Sequence, residues 1–280
     1  MKILAAILAI ALAAWQPPAL AGASGRVTQG QLSYTLVDLA PEDGIAPSLV
    51  FEPLPNPGPV DPVNMAHGSV RYAVGDDSRF VEQAATGTDP LVLGYDLGSA
   101  GAITARLDGR GQPATQRLTI EASANPGEHG DVQVGSWMYV GDMGFTLSAN
   151  TRVEFSTTLH VQAGVTGAAG TNEWFQSASW MYLMMGHFPD TTGFDWDHEL
   201  VTVHADPAWG APRDVDTTLT MTVAYDNTAL EGQYGTVSFN TWVNAMAAQP
   251  VPEPAALSMM FAGLLVLGGT RLRARSRLRS

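Results

Sequence analysis

Between residues 31 and 243 the chain lacks long runs of apolar residues at helical spacing. Short segments alternate instead, and Gly, Pro, Asn or Asp interrupts them about every ten residues. Leu32, Tyr34 and Leu36 share one parity, and Gln116, Leu118 and Ile120 share another. In an extended chain, alternate residues point to opposite faces. Strands are therefore predicted at 31–39, 46–51, 69–74, 79–83, 91–97, 102–107 and 115–122. Others follow at 132–140, 144–147, 152–162, 174–184, 199–204, 217–225 and 235–243. Turns fall at Pro41–Gly44 and at Asn150, and a proline-rich loop covers 56–62. This spacing belongs to a sandwich or a barrel. The expected fold is all-β, an antiparallel β-sandwich in jelly-roll style, forming one domain from 22 to 250.

The two ends differ from this body. Lys2 precedes an apolar run from Ile3 to Ala14, Gln16-Pro17-Pro18 breaks it, and Ala19 and Ala21 fit the small-x-small cleavage pattern. Residues 1–21 read as a signal peptide, with the mature chain starting near Gly22. At the other end, Pro252, Glu253 and Pro254 precede an uncharged run, 255–270. As a helix that run reaches ~24 Å. This is short of a ~30 Å hydrocarbon core, but arginine snorkelling and bilayer thinning allow a single transmembrane helix. Arg271, Arg273, Arg275, Arg277 and Arg279 follow and would hold that end at the cytoplasmic interface.

The order of these three parts in 251–280 resembles the PEP-CTERM sorting signal of Gram-negative bacteria. The resemblance implies that the tail holds an exported protein in the inner membrane. It also implies an exosortase-type membrane protease as partner, cutting near the motif and releasing the protein to the surface. Exopolysaccharide and biofilm material are the associations implied beyond that. The segments 33–51, 144–156, 216–227 and 235–239 look like strand pairs of PEP-CTERM ectodomains, which implies a shared sandwich and no chemistry.

The body holds eight basic and 26 acidic residues, a net charge near −18, with no lysine and no cysteine. Such a surface repels nucleic acid and anionic lipid. Without disulfides an exported domain depends on its core. The charge suits solubility, cation binding, or neutral and basic polymers.

The densest polar cluster is Phe194-Asp195-Trp196-Asp197-His198-Glu199, with His204 beyond it. Asp195, Asp197 and Glu199 share one side of a strand, where three carboxylates suit Ca²⁺, or else form a solvated acidic face. The same pair spacing does not set the carboxylate gap of a glycosidase. Asp38, Glu42 and Asp43 form a turn and a weaker ion site. Neither stretch has the Asp-x-Asp-x-Asp-Gly loop, so no metal site is assigned. Six histidines (67, 129, 160, 187, 198, 204) show no zinc spacing. No Gly-x-Ser-x-Gly elbow, cysteine nucleophile or phosphate loop is present, and no cofactor is indicated. Trp137 and Trp180 read as core strand residues, whereas Trp196 and Trp209 are the tryptophans expected on any carbohydrate face. A non-enzymatic envelope or matrix protein is the leading expectation, followed by a carbohydrate-binding module, then a polysaccharide hydrolase or lyase.

Overall fold

The computed structural model describes residues 22–51, 66–85, 90–109, 113–126, 130–166, 172–185 and 195–248. The expected signal peptide, the sorting motif, the 255–270 span and the arginine tail lie outside these residues. No helix among the described residues is long and apolar enough to cross a membrane.

The described chain is all strand, apart from two single 3₁₀ turns at Gly98–Ala100 and Pro207–Trp209. In order the strands are β1 (Ala23–Gln29), β2 (Ser33–Asp38), β3 (Leu49–Phe51), β4 (Ala66–Val74) and β5 (Asp77–Ala85). Then come β6 (Leu91–Asp96), β7 (Gly101–Asp108), β8 (Arg117–Ala124), β9 (Val132–Leu147) and β10 (Thr151–Val165). The last are β11 (Trp174–Met185), β12 (Asp195–Ala205), β13 (Asp214–Asn227) and β14 (Gln233–Ala247). Every predicted strand falls on an observed one, 132–140 and 144–147 both within β9. The sequence did not predict β1, and β12 starts four residues earlier than the predicted 199.

Two seven-stranded sheets form, and every pairing is antiparallel. The first runs β13-β10-β1-β8-β7-β6, with β2 also on β10. The second runs β12-β11-β14-β9-β4-β5, with β3 also on β9. β1 and β2 together follow β10 along one flank, and β3 and β4 together follow β9. The chain's opening strands thus lie beside the β9–β10 pair in both sheets at once.

The inner faces meet in one core, in which Phe145, Phe155, Phe175 and Phe239 are the bulkiest fully buried side chains. The packing is close. Gly25 of β1 lies against Phe175 of the other sheet, and a Cβ there would overlap the ring. β9 was expected as two strands, and it is one strand with a β-bulge. Val140 faces Phe239 and Met143 faces Val237, so Gly141 and Asp142 together stand opposite Ser238. The extra residue flips the inward parity from Val132, Val134, Met138 and Val140 to Met143, Phe145 and Leu147.

The tight β9–β10 turn is held from two sides. Asn150 takes φ 50°, a left-handed conformation its short polar side chain tolerates. Buried Asn227 donates its amide to the carbonyls of Leu147, Ser148 and Glu231 at 3.3, 2.9 and 3.0 Å. It also accepts from Ala229 N at 3.0 Å. A fully used buried amide of this kind stabilises the fold, because deleting it strands its partners.

Candidate functional site

The two outer faces differ sharply. On the first sheet, one cross-strand row reads Asp216, Gln162, Arg26, Glu121, Thr104, and another reads Thr218, His160, Thr28, Thr119, Arg106. This is the polar face a solvated sheet should have. Arg26 pairs with Glu121 at 3.2 Å, and His160 lies 2.8 Å from Asp216. Bonds to His160 and then Gln162 hold the Asp216 carboxyl below its ordinary range.

The outer face of the second sheet carries rings. One row reads Ser69, Trp137, Trp242, Ala178, Thr202 across β4, β9, β14, β11 and β12. The next reads His67, Tyr139, Asn240, Trp180, Leu200. Tyr182 and His198 follow, then Met184 and Trp196. The Trp137 and Tyr139 rings are parallel within 8° at 6.3 Å, and His67 meets Trp137 edge-on at 5.1 Å. Trp196 stacks on His198 at 4.7 Å. Trp137, Tyr139, Trp180, Tyr182 and Trp242 are half-buried: neighbours hold each ring while part of it meets solvent. Asn240 Oδ1 is buried in their midst and has no hydrogen-bond partner among the described residues.

On the other flank of the Trp137–Trp242 row runs a polar one: Arg71, Gly135, Asn244, Gln176, His204. Gln133 Nε2 donates to Asn244 Oδ1 at 3.3 Å, and Gln176 Nε2 lies 3.4 Å from His204 Nε2. Gly135 leaves a gap in this row. A Cβ there would stand 3.1 Å from Arg71 Nε and 3.3 Å from Asn244 Oδ1. From β4 to β12 the row spans ~19 Å at the usual strand spacing. A band of rings beside a band of amides, an imidazole and a guanidinium has the chemistry to take a ligand with both C–H faces and hydroxyls.

The structure corrects the assignment of Trp137 and Trp180 to the core. On β9 and β11 the inward places are held by Met138, Phe175, Met181 and Leu183, and the tryptophans take the opposite parity. Of the two tryptophans expected on a ligand face, Trp196 lies on this one at 59 % exposure. Trp209 is 89 % exposed on the 3₁₀ turn between β12 and β13, capped by Asp206.

The acidic cluster has another use. Asp197 and Glu199 occupy the core-side parity of edge strand β12, opposite Leu183 and Met181. Asp197 Oδ2 accepts from Ala224 N at 2.9 Å, and Glu199 Oε2 accepts from Thr222 N. Both donors belong to β13, the edge of the other sheet, so the carboxylates tie the two edges together. The Asp195 side chain lies outside the description. Asp38 and Asp43 are turn caps, accepting from Ala40 N at 2.9 Å and Ile45 N at 2.7 Å. Asp43 also accepts from Asn150 Nδ2 at 2.6 Å. Among the described residues no three His, Asp or Glu side chains are grouped to hold a metal. His129 and His187 lie outside the described residues.

No family model and no curated protein matches the chain. Among solved structures, one similar chain is the N-terminal CBM22-1–CBM22-2 tandem domain from Paenibacillus barcinonensis Xyn10C. Its identity is 8 %, covering 84 % of this chain and 80 % of that one, at a TM-score of 0.14. Another is from the infectious bursal disease virus Gt strain, at 11 % identity, 91 % and 76 % coverage and a TM-score of 0.14. Likenesses this low bear on neither fold nor function.

Proposed function

We propose that this is an exported, non-catalytic protein of the cell envelope or extracellular matrix that binds polysaccharide on the outer face of its second sheet. One observation carries the reading. In a body with a net charge near −18, one sheet face is given over to half-exposed rings flanked by hydrogen-bonding side chains. Aromatic surface is costly to leave wet and is kept where something covers it. Sugar rings suit it, because they offer C–H faces to the aromatics and hydroxyls to Asn244, Gln176 and His204. Delivery follows the sequence reading: export by residues 1–21, retention by 255–270 with the arginines, and cleavage near Pro252-Glu253-Pro254.

A glycan array probed with residues 22–250 tests the binding. The expected result is a discrete set of polysaccharide hits, each weakened about 30-fold or more in Trp137→Ala or Trp242→Ala, the ~2 kcal/mol of a buried aromatic anchor. Silence across the array overturns the reading, and shortened glycan products turn it into an enzyme. Delivery is tested by a reporter fused after Ser280. It reads as cytoplasmic in cells lacking the processing protease, and a periplasmic signal defeats the anchor.

A further inference from the structure

We propose that Arg71, standing over the gap at Gly135, reads a carboxylate on the bound glycan, so that the ligand is an acidic, uronate-bearing polysaccharide. The inference rests on the glycan-binding reading and deepens it.

Three observations converge on Arg71. The first is the absence of an acidic partner. Among the described arginines, Arg26, Arg106 and Arg152 each have a carboxylate at 2.7–3.2 Å, and of those without a described ion pair Arg79 takes the opposite parity on β5 and Arg117 lies on the other sheet. Arg71 is exposed on the face and makes no ion pair with a described residue, in a body where acids outnumber bases by 26 to eight. The second is the setting. Arg71 shares its row with Gly135 and Asn244, diagonal to Trp137, and it lines a cavity of about 310 Å³ with Ser78, Arg79, Phe80 and Gln133. A sugar lying on Trp137 and Trp242 would place its substituents toward this row. The third is local charge. Among the described side chains, the rows of this face carry Arg71, His67, His198 and His204 against one carboxylate, Glu82, which is bound to His67. The described carboxylates of β12, Asp197 and Glu199, lie on its inner side.

The body's negative charge therefore does not decide what this face accepts. Beyond ~8 Å exposed charges are screened at physiological salt, while a contacting guanidinium is not. A planar guanidinium offers two parallel N–H donors that match a carboxylate, which a hydroxyl cannot do. Gly135 supplies the room, since any side chain there would meet Arg71.

The test uses polygalacturonate and its fully methyl-esterified counterpart, which differ only at C6, a carboxylate in one and an uncharged methyl ester in the other. Residues 22–250 should bind the acid form at least tenfold tighter than the ester at 0.15 M salt. Arg71→Ala should bring the two polymers level. Arg71→Lys should recover part of the preference, because it restores charge without the fork. Gly135→Ala should weaken acid binding with all charges kept, and Trp137→Ala should lower affinity for both polymers. Circular dichroism melts confirm that each variant is folded. An unchanged acid preference in Arg71→Ala, or a wild-type preference for the ester, overturns the carboxylate reading and leaves glycan binding standing. Failure of the wild type to bind any glycan overturns both. So does a dimer in sedimentation that Trp137→Ala dissolves, since the face would then be a contact between copies.

Discussion

A carboxylate beside an unpaired strand edge has work that needs no ion. β12 and β13 end their sheets, and an edge strand leaves alternate N–H groups without a ladder partner. Glu199 and Asp197 are two residues apart, as are Thr222 and Ala224, so strand periodicity alone matches acceptors to donors. The negative charges also make that edge a poor template for another chain's strand. Removing Glu199 leaves the Thr222 N–H without its acceptor, so Glu199→Ala should cost about 1–3 kcal/mol of stability. With these two carboxylates already engaged, Ca²⁺ and Mg²⁺ at equal ionic strength should raise the melting temperature equally, through general relief of self-repulsion. A Ca²⁺-specific rise that disappears in Glu199→Ala would restore the ion site and refute the edge tie.

At the scale of the element, the sequence carried strand existence well and strand facing poorly. Punctuation by Gly, Pro and Asn located the predicted strands, because turns demand those residues. It did not say which parity looks inward. On β11 both parities are apolar: Phe175, Met181, Leu183 and Met185 on one side, Trp174, Trp180, Tyr182 and Met184 on the other. Alternation decides a face only when one side is polar. The reading therefore placed Trp180 in the core by hydrophobicity, and with it the candidate site stayed hidden. β9 concealed its own facing in a second way. The bulge at Gly141-Asp142 shifts parity midway, so a strict period of two breaks and suggests two strands. The acidic cluster was legible as a cluster, but its partners lie 23 and 27 residues away in another sheet. A signal did exist for the aromatic face. Tryptophan is seldom buried in full, and four of the body's six sit on just three strands, β9, β11 and β14.

At the scale of the whole molecule, charge and apolar surface are partitioned along the chain. The body has no lysine, five arginines crowd the last ten residues, and among the described residues the core runs from Ala23 to Ala247. In the proposed delivery the apolar runs of the two ends serve export and retention, not the folding of the body. No disulfide closes the sandwich, so close packing of the two sheets must hold it. These points bear on one measurement. The 22–250 fragment and the full chain, in the same detergent buffer, should melt at the same temperature within about 2 °C. A contribution of only ~1 kcal/mol from the ends would already shift the transition by about 2–4 °C in a domain this size. The fragment should show a single transition with a β-type spectrum, and reductant should not move it. Both sheets share one core, so they should unfold together. Two separated transitions would mean that the sheets, or parts of them, are independent units. A fragment that melts well below the full chain would mean that residues 1–21 or 251–280 brace the sandwich, and the division of labour between ends and body would fail.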